Sequence, residues 1–295
     1  KKVGTSTTFV SAGTDLSINT KDAGEYRVKV TSDQKCTKTT GDTTVEFHSL
    51  PVVSLSANDG CETTTFTPSP SDNAKYDYSW NESEYGSETS KILTVPAGKN
   101  SASATWSVSI KDKTNSCVSN SASVTATVYE KSDITIAASV PKICKNTQPV
   151  LNVTSITGNI TKITADGSEL ASTAYVYNSE NKTITLPAIT AKTEYKVTVK
   201  NGVCDEMTAT TTINVSDIPT VTITAPAPVC DGNKFALPTP TIANNSSDIV
   251  GTGKWQIKVK GEGEWTDFDN TVAQVVGTHK LQYVVSNGCG TSQSN

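Results

Sequence analysis

The sequence predicts an all-β protein made of tandem sandwich domains, and three observations carry that expectation. The 295 residues are poor in hydrophobic (35%) and charged (18%) side chains, and Thr, Ser and Asn fill the difference. Thr suits half-buried strands, while Ser and Asn suit turns. No stretch sustains a 3.6-residue apolar period; short alternating runs such as YKVTV recur instead. Finally, seven cysteines fall at regular intervals.

Those cysteines form two classes. Cys36, Cys117, Cys204 and Cys289 each follow an aromatic-containing alternating strand, as in YRVKVTSDQKC, WSVSIKDKTNSC, YKVTVKNGVC and LQYVVSNGC. Their separations are 81, 87 and 85 residues. Cys61, Cys144 and Cys230 stand in NDGCETTTF, PKICKNTQPVL and APVCDGNKFAL, 83 and 86 residues apart. Two independent markers sharing one period near 85 define a tandem array.

Within each period the elements run in one order. A short opening strand comes first: PVVSLSA (51–57), DITIAAS (133–139) or PTVTITA (219–225). The second-class cysteine follows, then a further strand (TTTFT, PVLNV, KFAL). A central aromatic strand (YDYSW, KWQIKV) precedes the cysteine-bearing strand, and a last strand (TTVEF, SVTATV, TTTINV) closes the unit. About seven short strands in roughly 85 residues reads as an immunoglobulin-like β-sandwich. The expected domains are 1–50, the C-terminal half of such a sandwich; 51–130; 131–217; and 218–295, lacking its last strand. Both ends are thus expected to cut through a domain of a longer array. The linkers HSLP, EKS and SDIP contain no Gly-rich spacer, which favours a stiff rod.

The pattern of opening strand, vCxG, YxW, GxYxVxV and NGC is carried by Val229-Cys230-Asp231-Gly232, Tyr78-Ser79-Trp80, Gly24-Glu25-Tyr26-Arg27-Val28 and Asn287-Gly288-Cys289. It resembles the Ig-like/PKD-like repeats of large Bacteroidota cell-surface adhesins, exported by the type IX pathway and including SprB-like gliding adhesins. The resemblance covers the whole chain. The third repeat departs from it, with ITKITADG where YxW would stand. The resemblance implies an extracellular location at the bacterial cell surface, further repeats of the same chain as neighbours, and surface glycans or proteins as possible partners. Asp42-Thr43-Thr44 resembles the short O-glycosylation motif of the same bacteria, which marks Thr43.

Seven cysteines beside two histidines, without tight C-x₂-C pairs, point to a disulfide framework in an oxidising compartment. Two pairings are open. In a sandwich the second-class cysteine precedes the second strand and the first-class cysteine follows the sixth, at opposite poles. These poles lie roughly 20 Å apart, whereas a disulfide needs Cα atoms within about 7 Å. That favours bonds between neighbouring repeats, Cys61–Cys204 and Cys144–Cys289, leaving Cys36, Cys117 and Cys230 for partners outside this sequence. Pairing within repeats (Cys61–Cys117, Cys144–Cys204, Cys230–Cys289) is the alternative. It is recovered if the opening strand is two pieces that switch sheets.

Other chemistry is sparse. The net charge of −4 and a single Arg (Arg27) argue against nucleic acid, and no apolar run reaches the roughly 18 residues of a membrane helix. His48 and His279 have no nucleophile or carboxylate at motif spacing, so neither an enzyme nor a cofactor is expected. TDFDN (Asp267, Asp269, Asn270) offers oxygen ligands for calcium but no completed loop, and a polar hairpin rim is the simpler reading. Trp80, Trp106 and Trp255 are expected in cores. Trp265 and Phe268, beside a hairpin tip at Gly261–Gly263, are the candidates for stacking on a sugar, against packing on Trp255. Seven N-x-[ST] sequons, among them Asn81, Asn152 and Asn181, suit the composition alone.

Overall fold

The computed structural model describes residues 1–3, 6–15, 17–81, 84–230, 232–234, 236–243, 253–261, 263–268 and 276–294. It contains strands and short turns, and two compact units: residues 1–97 with 101–128, and residues 98–100 with 129–295.

In the first unit, residues 51–128 form a two-sheet sandwich. One sheet orders Ser54–Ser56, Thr63–Ser69 and Lys91–Thr94; the other orders Gly60–Cys61, Ala122–Tyr129, Ser101–Asp112 and Tyr76–Trp80. Strict alternation in TTTFTPS turns Thr64, Phe66 and Pro68 inward. In YDYSW it turns Tyr78 and Trp80 the same way, against Val108, Ile110 and Ala126. Each such fully buried large side chain contributes roughly 1.5–3 kcal/mol. The polar ends of Tyr78 and Trp80 are satisfied, whereas Trp106 Nε1 is buried without a hydrogen-bond partner among the described residues: Trp80 Nε1 donates to the Glu88 carbonyl at 2.9 Å, and Tyr78 Oη to that of Pro70 at 3.2 Å. Trp106 lies 6.3 Å from both Phe66 and Trp80, ring centre to ring centre.

Residues 24–45 form a broken hairpin. Gly24–Tyr26 pairs with Thr43–Val45, and Lys29–Thr31 with Thr37–Thr39. Val28 and Val30 stand 59% and 61% exposed, and Phe47 57%.

In the second unit, residues 129–217 build the fullest sandwich. One sheet orders Asp133–Ala138, Val150–Thr157, Thr183–Thr185 and Val176–Asn178. The other orders Lys142–Cys144, Met207–Ser216, Thr193–Lys200, Asn159–Ala165 and Ser168–Glu169. Leu151, Ile163, Ile184, Val197, Val199 and Ile213 are completely buried between them, with Tyr195 and Leu186 nearly so. Residues 218–294 pair Thr220–Thr222 with Thr241–Ala243, and order Thr266–Asp267, Lys254–Lys258, Lys280–Asn287 and Gly290–Gln293 in a second sheet. Among its described residues Val221, Ile257 and Val285 are buried, as is Pro219. Glycine at 253 is steric: a Cβ there would stand 2.3 Å from the Tyr283 ring, which packs edge-on against Trp255.

The chain is therefore all-β, in tandem immunoglobulin-like sandwiches. Several expectations need correction in detail. The opening strand is two pieces in different sheets: Ser54–Ser56 then Gly60–Cys61, and Asp133–Ala138 then Lys142–Cys144. The departure at ITKITADG is one of residue type only. Asn159–Ala165 pairs antiparallel with Thr193–Lys200, as Tyr76–Trp80 does with Ser101–Asp112, and Ile163 takes the buried position. Of KFAL, Lys234, Ala236 and Leu237 lie outside strands, and Thr241–Ala243 pairs with the opening strand instead. Four residues of a closing strand are present after the cysteine turn: Gly290–Gln293 pairs antiparallel with Lys280–Asn287. The turn at Gly288–Cys289 is so tight that this strand begins immediately after the cysteine.

Candidate functional site: a disulfide-closed junction

The split opening strand sets the position of Cys144. Its second piece runs parallel to the last strand of the sandwich, with Lys142 opposite Asn214, Ile143 opposite Val215 and Cys144 opposite Ser216. Cys144 thus reaches the end from which the chain leaves through Asp217 and Ile218. Cys289 sits in the turn after Lys280–Asn287, and the two cysteines are joined by a disulfide with Cα atoms 5.4 Å apart. The bond links residues 145 apart, and closing a loop of that length restricts the unfolded chain by about 5 kcal/mol.

Polar contacts surround the bond. Lys145 donates its backbone N–H to the Ser216 carbonyl at 2.9 Å, and its Nζ lies 2.9 Å from Asp217 Oδ2. The Lys145 hydrogen bond holds the Asp217 carboxyl below its ordinary pKa; slight burial opposes this and the Ile218 N–H assists. Asn287 Nδ2 donates to the Asp217 carbonyl at 2.7 Å. Its Oδ1 accepts from the Cys289 and Gly290 N–H groups at 2.9 and 3.1 Å. A cleft lined by Lys142, Ile143, Cys144, Ser216, Gly288 and Cys289 runs along the bond.

A second set of contacts in the same unit repeats this one. Asn201 Nδ2 donates to the carbonyls of Glu130 at 2.8 Å and Asn100 at 2.9 Å, and Asn201 N–H to Ser132 Oγ at 3.0 Å. Cys204 is 1% exposed, its sulfur 3.4 Å from the Glu130 carbonyl. Gly202 has φ +52°, and a Cβ there would fall 2.4 Å from the Tyr129 ring. The asparagines escaped the sequence reading, although both stand in the repeated Asn-Gly signal beside the cysteine.

The other predicted residues stand as follows. Cys36 and Cys230 are exposed free thiols, and Cys117 is a half-buried one. Cys61 is half-buried at the end of its short strand. Trp265 is half-buried with Lys258 Nζ 5.3 Å from its ring centre, while the ring against Trp255 is that of Tyr283, not Trp265. Phe268 is half-buried and donates its N–H to the Trp255 carbonyl at 2.9 Å. Thr43 is exposed in its edge strand. Asp267 is engaged by Gln256 and Lys254, and the Gln256 hydrogen bond, then the Lys254 charge, lowers its pKa. Asp231, Asp269 and Asn270 lie outside the described residues. His48 Nε2 is 3.9 Å from Glu46 Oε2, both exposed, and His279 Nδ1 accepts from the Lys260 N–H at 3.0 Å. Among the described residues no three His, Cys, Asp or Glu side chains are grouped to hold a metal, and no helix is long and apolar enough to cross a membrane.

No protein-family model and no curated protein sequence matches the chain. Solved structures do. The titin I-band fragment I67–I69 is 11% identical, with 84% of this chain and 97% of that one covered and a TM-score of 0.46. Murine CEACAM1b is 12% identical over 57% of this chain and all of its own, at 0.39. Sidekick-1 immunoglobulin domains 1–5 are 11% identical over 95% of this chain and 68% of theirs, at 0.36. The fold rests on the strand order itself: tandem immunoglobulin-like sandwiches, two of whose strand systems are tied by Cys144–Cys289.

Proposed function

We propose that the chain is a structural stalk segment of a large secreted or cell-surface adhesin, closed by disulfides between successive repeats so that it carries tension and presents a distal binding tip. The observation that carries this reading is the Cys144–Cys289 bond, which ties the end of one sandwich to the cysteine turn of the next. Tension entering at the opening strand of 131–217 passes through sulfur to residue 289. The intervening strands are shielded from it.

The same placement in the other repeats extends the proposal. Cys61 ends a short second piece of opening strand, as Cys144 does, and Cys204 follows its strand as Cys289 does. A Cys61–Cys204 bond would repeat the staple one period earlier. Cys36, Cys117 and Cys230 would pair with cysteines of further repeats of the same chain. An extracellular location follows from disulfide chemistry. Export by the type IX pathway and a role in gliding rest on the sequence resemblance alone.

Single-molecule stretching of the chain with and without reductant tests the reading. Reduction of the Cys144–Cys289 bond, with Cys61 and Cys204 replaced by serine, is expected to release about 500 Å of contour, the reach of the 145-residue loop at about 3.5 Å per residue. Equal extension in both conditions would overturn it. Peptide mapping without reduction is expected to yield a Cys61–Cys204 linked peptide; a Cys61–Cys117 peptide would reject the staple between neighbours.

A further inference from the structure

The asparagine at the end of one strand that precedes a cysteine turn (Asn287), and just past the end of another (Asn201), is buried and aims its amide at the chain entering its own sandwich. Asn287 is 7% exposed and Asn201 8%. Asn287 Nδ2 binds the Asp217 carbonyl, and Asn201 Nδ2 binds the Glu130 carbonyl. The register is common to both. Val285 and Val199 are the last inward residues, and each asparagine stands two positions on. A buried amide donor freed from its acceptor loses its hydrogen bond with no water to replace it, so each contact resists separation of linker and turn.

We propose that this asparagine is a linker latch, which holds the 217–219 junction in one geometry independently of the disulfide. The inference does not rest on the stalk reading; it concerns the angle of the junction whatever the chain presents. A copy of the same strand supplies an internal contrast. After Ile110, the position two residues on is Asp112, also buried at 9%. Its carboxylate accepts the Thr114 N–H at 2.8 Å and has no N–H to offer a linker carbonyl. The segment that enters this sandwich leaves Leu50 59% and Val52 83% exposed. At the latched 217–219 junction Ile218, which matches Leu50, is also exposed at 45%, but Pro219 is buried where Pro51 is half-buried. Asp112 therefore marks an unlatched junction, and residues 48–52 are the compliant linker.

Asn287→Asp is the discriminating variant. It keeps an oxygen for the Cys289 and Gly290 N–H groups and puts a second oxygen where the amide donated to Asp217. Spin labels carried by non-canonical amino acids at the exposed Glu180 and Lys280 of the full chain report the distance across the junction. The C144S/C289S chain is expected to retain the narrow distance distribution of the oxidised protein, and C144S/C289S/N287D to broaden it at least twofold. If the double variant is already as broad as the triple, or the triple stays narrow, the latch is rejected. Side-chain amide exchange of Asn287, read by NMR in C144S/C289S, needs no change at position 287. Protection of tenfold or more over an exposed Asn is expected, and exchange at the solvent rate would overturn the proposal.

Discussion

Tyr195-Lys196-Val197-Thr198-Val199 and Tyr26-Arg27-Val28-Lys29-Val30 are nearly the same strand in two settings. In the first, Tyr195, Val197 and Val199 are at most 1% exposed, covered by Leu151 and Ile184 of the opposite sheet and flanked by Ile163 on the neighbouring strand. In the second, Val28 and Val30 are about 60% exposed, and the strand breaks into Gly24–Tyr26 and Lys29–Thr31. Among the described residues, no apolar side chain before Phe66 is buried. Alternation writes a strand with one apolar face; it does not cover that face. Covering is the work of strands far away in sequence, and with it comes a continuous eight-residue ladder.

The comparison can be tested at matched positions. Val197→Ala is expected to destabilise its sandwich by roughly 2–3 kcal/mol, through lost burial and a cavity in a close-packed core. Val28→Ala is expected to change stability by less than about 0.5 kcal/mol. Chemical denaturation of the two variants measures both, and equal losses would break the comparison. The next effect is alkaline. Burial, then the Asp166 charge, pushes the Tyr195 hydroxyl up to about 12 from 10.0. The neutral form is favoured in the fold, so this contribution is complete below pH 10 and is lost as pH rises through 12. Tyr195→Phe should remove that part of the pH dependence, as read from denaturation at stepped pH.

Smaller effects are expected at the turns. Gly202→Ala must displace the Tyr129 ring and adopt a positive φ, at a cost of roughly 1–3 kcal/mol. Gly288→Ala meets nothing within 4 Å and should fall within about 0.5 kcal/mol of the parent. Thermal melts of the pair separate a seat for a linker side chain from an open turn. The smallest effect is acidic. Asp217 has a lowered pKa, so its pairing with Lys145 contributes above the unfolded value of 3.8 and is lost as pH falls through the folded pKa. Lys145→Ala should move the Asp217 carboxyl titration back toward 3.8, observable by NMR, with little change in stability for so exposed a pair.

Much of the fold was legible because its signals are local. YDYSW, TTTFT and SVTATV alternate, and each lies within an observed strand with the expected side inward. The third central strand was hidden because Ile163 in ITKIT does with an aliphatic side chain what Tyr78 does with a ring. The candidate site was less legible. Cysteine spacing marked where bonds could form, but the asparagines looked like ordinary turn residues. Nothing local in Asn-Gly distinguishes an amide facing solvent from one seated on a linker carbonyl 70 residues earlier.

By itself, then, the sequence determined the β class, the 85-residue period and the two cysteine classes, since each depends on residue type and spacing along the chain. Only the tertiary structure decided the rest. A two-piece opening strand was the condition under which bonds within repeats seemed to recover, yet Cys144 is joined to Cys289. The reason is direction. The second piece runs parallel to the last strand, which carries Cys144 to the end where the chain departs and beside the next cysteine turn. Strand direction and sheet partner are relations between distant segments, and no short stretch of sequence encodes them.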